Sequence, residues 1–360
     1  MRVYKQALEK PDGRELILYS RAPIDPAIVA TSAGERSPSG SHLRWHPLRG
    51  EWVVYAGHRQ DRTFLPPPEW NPLAPTTDPA HPTEVPAGAW DVAVFENRFS
   101  ALGAQPGMAV PPQIVATAPC GGRTEVVVFT QDPQASLGGL PLDHLELVLA
   151  VWADRTQSLG RASDVQYVFP FENRGVEVGV SLHHPHGQIY AYPFVPPIAA
   201  RELALQHDYY AQHGRGLFEH LIEGELANGT RTLYVGERAL AFVPVCARWA
   251  YEIWVAPRRP TATLGELTDD ERGDLARALQ IALRKLDGLW QRPMPYILSV
   301  HQGPPRGQHP HAHVHIEIYP WLRMPGRIKY LAGSEVAAGV FTADTLPEDK
   351  AAELRAVEIV

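Results

Sequence analysis

The sequence predicts an α+β protein made of two copies of one unit, with antiparallel sheets and helices packed on one face. Two observations carry that expectation. Residues 124–152, TEVVVFTQDPQASLGGLPLDHLELVLAVW, lie without a gap on residues 251–279, YEIWVAPRRPTATLGELTDDERGDLARAL, at an offset of 127 positions. Glu125 falls on Glu252, Leu137 on Leu264, Gly138 on Gly265, Leu140 on Leu267 and Asp143 on Asp270. Carried further, this register lays His184 on His311, His186 on His313 and Gln188 on His315, which marks an internal repeat. Apolar alternating runs also outnumber helical ones and are joined by short links, a pattern that favours antiparallel sheets.

In chain order, residues 1–40 are rich in Pro, Ser and Gly around DPAIVATSAGERSPSGS and read as a mobile arm leading to a strand pair near Trp45 to Tyr55. The first unit spans 41–205 and the second 206–360. The Pro-rich stretch 64–88 cannot be interior helix or central strand and becomes a surface loop. DVAVFENRFSAL (91–102) reads as a strand running into a loop. Each unit then has an alternating strand, a Gly-containing turn and a helix entered through LPLDHLEL or LTDDERGD, with Thr268 an N-cap candidate. A strand follows (DVQYVFPFEN or MPYILSV), then a loop and a His-rich strand (HPHGQIYAYPF or HAHVHIEIYP). The two units form one continuous sheet or a face-to-face pair.

Composition narrows the function. A formal charge of −7 gives no basic field for nucleic acid. No stretch nears 18 consecutive apolar residues, and the charged first 20 residues lack a signal-peptide core, so a cytoplasmic protein without membrane partners is expected. With Cys120 and Cys246 alone there is neither a disulfide framework nor a CxxC pair, and any metal falls to histidines and carboxylates.

The His strands carry the chemistry. In an extended strand His184, His186 and Gln188 share one face, and His183 takes the other. Gly179, Ser181 and Gly187 let backbone approach an anionic group, while Ser181 and Gln188 donate hydrogen bonds without a proton to lose. A neutral imidazole can attack phosphorus, so His186 is the candidate nucleophile, oriented by a carbonyl that accepts from its other nitrogen. Gln188 is no general acid, which favours a leaving group that needs no proton, such as a sugar phosphate. In the second copy His313, His315 and Glu317 share a face near His301, a set that suits zinc or iron. His311 reads as a loop residue.

These residues resemble the galactose-1-phosphate uridylyltransferase family, the double-unit branch of the histidine-triad superfamily. The resemblance runs from HPLRGEWVVYAGHRQDR (46–62) onward; its most specific pieces are FENRG (171–175), GVSLHHPHGQ (179–188), HQGPP (301–305), HVHIEIYP (313–320) and KYLAGSE (329–335). It implies a fold of two fused histidine-triad-like units and a ping-pong exchange of UMP between UDP-glucose and galactose 1-phosphate. His186 would become uridylylated, with Gln188 and Ser181 on the non-bridging oxygens. It further implies that Asn97, Arg98 and Phe99 form the uracil and ribose pocket, and that Asn173, Gly179 and His184 lie at the phosphate and sugar site. Arg59 and Arg62 would reach a neighbouring subunit's site in a homodimer, and Lys329, Tyr330, Ser334 and Glu335 would contact the hexose. A zinc or iron site would use Glu202, His301, His315 and Glu317, with His313 the alternative. The family's other zinc needs a CxxC pair; Asn71 and Ala74 stand at those positions, so that zinc is expected to be absent and His184 only to hydrogen-bond. Competing expectations are an ADP-sugar or dinucleoside-polyphosphate phosphorylase and a non-catalytic nucleotide-binding protein.

Overall fold

The computed structural model describes residues 1–37, 40–60, 67, 70–103 and 112–359. In its first half the strands are β1 (Tyr4–Glu9), β2 (Glu15–Ser20), β3 (His42–His46), β4 (Glu51–Tyr55), β5 (Val92–Glu96), β6 (Thr117–Pro119), β7 (Arg123–Val128), β8 (Tyr167–Arg174) and β9 (His186–Tyr192), with helix α1 (Leu142–Gly160). The second half has α2 (Pro197–His213), α3 (Leu217–Asn228), β10 (Thr232–Val235), β11 (Ala239–Phe242), β12 (Ile253–Pro257), α4 (Asp269–Gly288), β13 (Tyr296–His301) and β14 (His315–Pro320). The short pair β15 (Leu322–Met324) and β16 (Arg327–Ile328) and helix α5 (Pro347–Ala356) close the described chain.

Of the two arrangements open to the repeat, the structure has the continuous sheet. Eleven strands run in the order β1-β2-β5-β7-β9-β8-β13-β14-β12-β11-β10, and the units meet where β8 pairs antiparallel with β13. The pairing registers align one transverse row, Leu16–Phe95–Val126–Gln188–Phe171–Ser299–Glu317–Trp254, across eight strands.

Helices α1 and α4 cover one face, burying Leu145, Val148, Trp152, Leu275, Leu279 and Leu283 against Val127, Val168, Val255 and Val300. Helix α4 starts as its sequence asks: Thr268 Oγ1 accepts from the Glu271 amide and the Glu271 carboxylate accepts from the Thr268 amide. The other face is not left to loops alone, because Phe218 and Ile222 of α3 pack on Leu240, Phe242 and Ala256.

One expectation is overturned. Residues 4–9 and 15–20 are not part of a mobile arm but an antiparallel hairpin at the sheet edge, with Leu16, Ile17, Leu18 and Tyr19 buried. The physical reason is the uninterrupted apolar run from Leu16 to Tyr19, which gains more by pairing with β5 than by solvation.

The repeat register also needs correction. The offset of 127 holds for the 3-10 turns that begin at Leu137 and Leu264 and for the starts of α1 and α4. At the second His strand it becomes 129. His184 and His313 place Nε2 against the carbonyls of Thr130 and Pro257, and the next residue but one, His186 or His315, places Nδ1 against the carbonyl of the first histidine. His184 therefore matches His313, His186 matches His315 and Gln188 matches Glu317.

Candidate active site

His186 opens β9 with its Nδ1 2.7 Å from the His184 carbonyl. A carbonyl only accepts, so Nδ1 carries the proton and Nε2 presents a lone pair. Burial pushes its pKa below the ordinary 6.5, opposed by that hydrogen bond, which keeps the ring neutral at physiological pH. The carbonyl is itself anchored: the His184 ring meets Thr130 O through Nε2 at 2.7 Å and Asn71 Nδ2 through Nδ1 at 2.9 Å. Both ring nitrogens of His184 are therefore committed to protein, and His184 lines one of the cavities that His186 borders. β9 begins only at His186, so His184 lies before the strand.

His186 stands between two cavities. One is lined by Arg59, Asn97, Arg98, Phe99, Ser181 and Gln188 among others, the other by Asn173, Arg174, Gly175, Val180 and His183 among others. Among the described residues no hydrogen bond engages the Gln188 amide or the Ser181 hydroxyl, and both are available to a ligand. Gly187 between the two strand-face residues is required by space: a Cβ there would lie 2.7 Å from the Phe129 ring and 2.9 Å from the Phe171 carbonyl. Gly179 ends a 3-10 turn at φ 77°, the left-handed region that glycine adopts freely. Asn97 Oδ1 accepts from the Phe99 amide, and the Arg98 guanidinium lies 4.8 Å from the Phe99 ring centre. Arg59 lines the cavity of its own chain, where Nη1 donates to the Tyr190 hydroxyl, whereas the resemblance pointed it to a neighbour. Arg62 lies outside the described residues.

The C-terminal quartet is elsewhere. Lys329 Nζ donates to Thr342 O, Ser334 Oγ to Val340 O, and Glu335 accepts from the amides of Ala332 and Thr342. Tyr330 is exposed. None of the four lines either cavity beside His186.

A second group forms on the same sheet face, beyond Phe171 and Phe169. Ligand atoms of Glu202, His301 and His315 all fall within 4.8 Å of one another. His301 Nδ1 is 2.7 Å from Glu202 Oε2, and His315 Nδ1 is fixed by the His313 carbonyl at 2.9 Å, which turns its Nε2 inward. Glu317 lies 3.6 Å from His301 Nε2 and 3.5 Å from His315 Nε2. Burial would raise its pKa, but His301, His315 and Arg248 hold it at about 2. Two imidazoles and two carboxylates, three of the four deeply buried, make a donor set that fits a divalent ion. His313 places Nε2 against Pro257 O at 2.8 Å and is not among the residues whose ligand atoms come within 4.8 Å of one another.

Sequence reasoning missed Glu84, which lines the Arg98 cavity, and the N-terminal residues that hold it. The available signal was Pro11–Asp12–Gly13 ahead of an apolar run, the pattern of a hairpin turn.

Fold and site define an α+β protein of two repeated units fused in one sheet, with an unprotonated imidazole nitrogen between cavities in the first and a metal-capable group in the second. Residues 33–196 match the N-terminal domain of galactose-1-phosphate uridyl transferase and residues 202–360 its C-terminal domain, so the chain belongs to that family. A galactose-1-phosphate uridylyltransferase from Thermotoga maritima is 33% identical, over 88% of this chain and 98% of its own. One from Streptomyces lividans is 38% identical, over 83% and 81%. A solved uridylyltransferase structure, 34% identical, superposes with a TM-score of 0.79 over 88% of this chain and 98% of its own. An Arabidopsis thaliana ADP-glucose phosphorylase at 23% identity and TM-score 0.66 shares the fold. Among the described residues no helix is long and apolar enough to cross a membrane.

Proposed function

We propose that the protein moves a uridylyl group from UDP-glucose to galactose 1-phosphate through a covalent adduct on His186. The observation that carries this is the Nε2 lone pair of His186, fixed by the Nδ1 contact to the His184 carbonyl and flanked by two uncommitted donors. Nε2 forms a bond to the uridylyl phosphorus as the bond from that phosphorus to the glucose 1-phosphate oxygen breaks. The electron pair leaves with glucose 1-phosphate, which needs no proton, in keeping with a glutamine at position 188. A phosphate oxygen of galactose 1-phosphate then attacks the same phosphorus and returns the pair to Nε2. Gln188 and Ser181 stabilise charge on the non-bridging oxygens. Asn97, Arg98, Phe99 and Arg59 hold the nucleotide, and Asn173 and Gly179 flank the phosphate and sugar.

A homodimer belongs to this reading, because Lys329, Tyr330, Ser334 and Glu335 sit away from their own chain's cavities and contact hexose only from a neighbour. The domain boundary falls near residue 205, and the protein works in the cytoplasm. Glu202, His301, His315 and Glu317 would hold one zinc or iron ion, which when bound ties α2 to β13 and β14. The CxxC-type zinc of the first unit is absent in this reading: the Asn71 amide occupies the His184 nitrogen that would otherwise serve as ligand.

Intact mass after mixing with UDP-glucose tests the proposal. A gain of one uridylyl group in the wild type, lost on adding galactose 1-phosphate and never formed by His186→Gly, is expected. A gain only with ADP-sugars or dinucleotides overturns the assignment in favour of a phosphorylase. No gain with any of them overturns the covalent route.

A further inference from the structure

The cavity beside His186 has a wall that this reaction scheme leaves unused. Glu84 lies on it, near Pro72, Leu73 and Phe95, with its side chain 7% exposed. Its Oε2 accepts from Lys10 Nζ and from Arg14 Nη2, each at 2.7 Å. Lys10 also reaches the Glu84 carbonyl at 2.5 Å, and both cationic side chains are fully buried. They come from the turn between β1 and β2, where Arg14 is braced by Asp12, Ser32 and the Glu96 carbonyl. The other oxygen, Oε1, has no hydrogen bond among the described residues; its nearest charged neighbour is Arg98 Nε at 3.9 Å.

An isolated buried carboxylate is costly, but here Lys10 and Arg14 both donate to one oxygen, and the second is left as an acceptor. Position decides what that acceptor meets. Phe95 pairs with Val126 and Val126 with Gln188, so the Phe95 end of the cavity is two strands, about 10 Å, from the phosphate-facing glutamine. With phosphorus at His186, that distance belongs to the nucleoside. A carboxylate oxygen repels phosphate and carbonyl oxygens and accepts O–H or N–H.

We propose that Glu84 Oε1 accepts a hydrogen bond from the nucleoside, either a ribose hydroxyl or a base N–H, and that Lys10 and Arg14 are positioning residues for it. The N-terminal hairpin thereby becomes part of the nucleotide site. The inference rests on the nucleotide reading of the His186 cavity.

Calorimetric titration of the full chain with UMP, its 2′- and 3′-deoxy forms and N3-methyl-UMP tests it, on the wild type, Glu84→Gln and Glu84→Asp. The aspartate keeps a charge opposite Lys10 and Arg14 while withdrawing the acceptor by one methylene; thermal melts check that each variant is folded. At least one analogue is expected to bind the wild type about tenfold or more weakly than UMP, with that penalty shrinking to about threefold or less in both variants. A deoxy penalty identifies the ribose, an N3-methyl penalty the base. Equal binding of all analogues by the wild type, or a penalty unchanged in the variants, overturns the assignment while leaving the uridylyl reading intact. Failure of every uridine nucleotide to bind, together with no adduct from UDP-glucose, fails both.

Discussion

Gly187 states at single-residue scale what the His strand requires. Its missing side chain lets β9 lie against Phe129 and the Phe171 carbonyl, and its neighbours His186 and Gln188 both line the Arg98 cavity. Gly187→Ala is expected to slow uridylyl adduct formation by about 100-fold, the order that accompanies a displacement of about 1 Å at a reacting centre. Rapid-quench mass spectrometry checks it, and an unchanged rate would mean that Phe129 yields. The residues HPHGQ were legible in the sequence, as was the tautomer that a carbonyl partner imposes on His186. What His184 does was legible only in part, because its second partner, Asn71, is 113 positions away and is met only after folding. The same holds for His313: counting along the chain made it an alternative ligand, whereas the fold leaves it outside the group formed by Glu202, His301 and His315.

Among the elements, the β1–β2 hairpin separates composition from pattern. Proline, serine and glycine between residues 22 and 40 made the whole N-terminal stretch read as an arm, yet ELILYS is a sheet strand whose residues are mostly buried. Leu18→Ala is expected to cost about 2–5 kcal/mol of unfolding free energy, measured by urea titration, because Leu18 is fully buried in a satellite core with Leu73, Trp90 and Ala93. A cost under about 0.5 kcal/mol would mean that the hairpin is peripheral after all. By contrast the start of α4 could be read, since its Thr268–Glu271 cap is a local hydrogen-bond pair that sequence spacing alone specifies. Strand neighbours were less legible, because β5, β7 and β9 are chosen as partners by packing over long separations.

For the whole molecule the decisive fact is the seam between β8 and β13, which makes two units one sheet. The sequence left this open because edge pairing depends on which strands remain unpaired once each unit has formed. On one side of the seam is FENRG; on the other is the strand ending in His301. Removing that histidine is expected to lower bound metal well below one ion per chain by elemental analysis, and to lower the melting temperature. A wild-type protein that carries no metal would overturn the prediction. From Gln188 through Phe171 and Ser299 to Glu317 there are three strand steps, about 14 Å. No ion held by Glu317 touches a phosphorus atom at His186 across that span. Catalysis and cohesion are thus set apart in space, and replacing one divalent ion by another in the second unit is expected to leave the rate of uridylyl transfer unchanged.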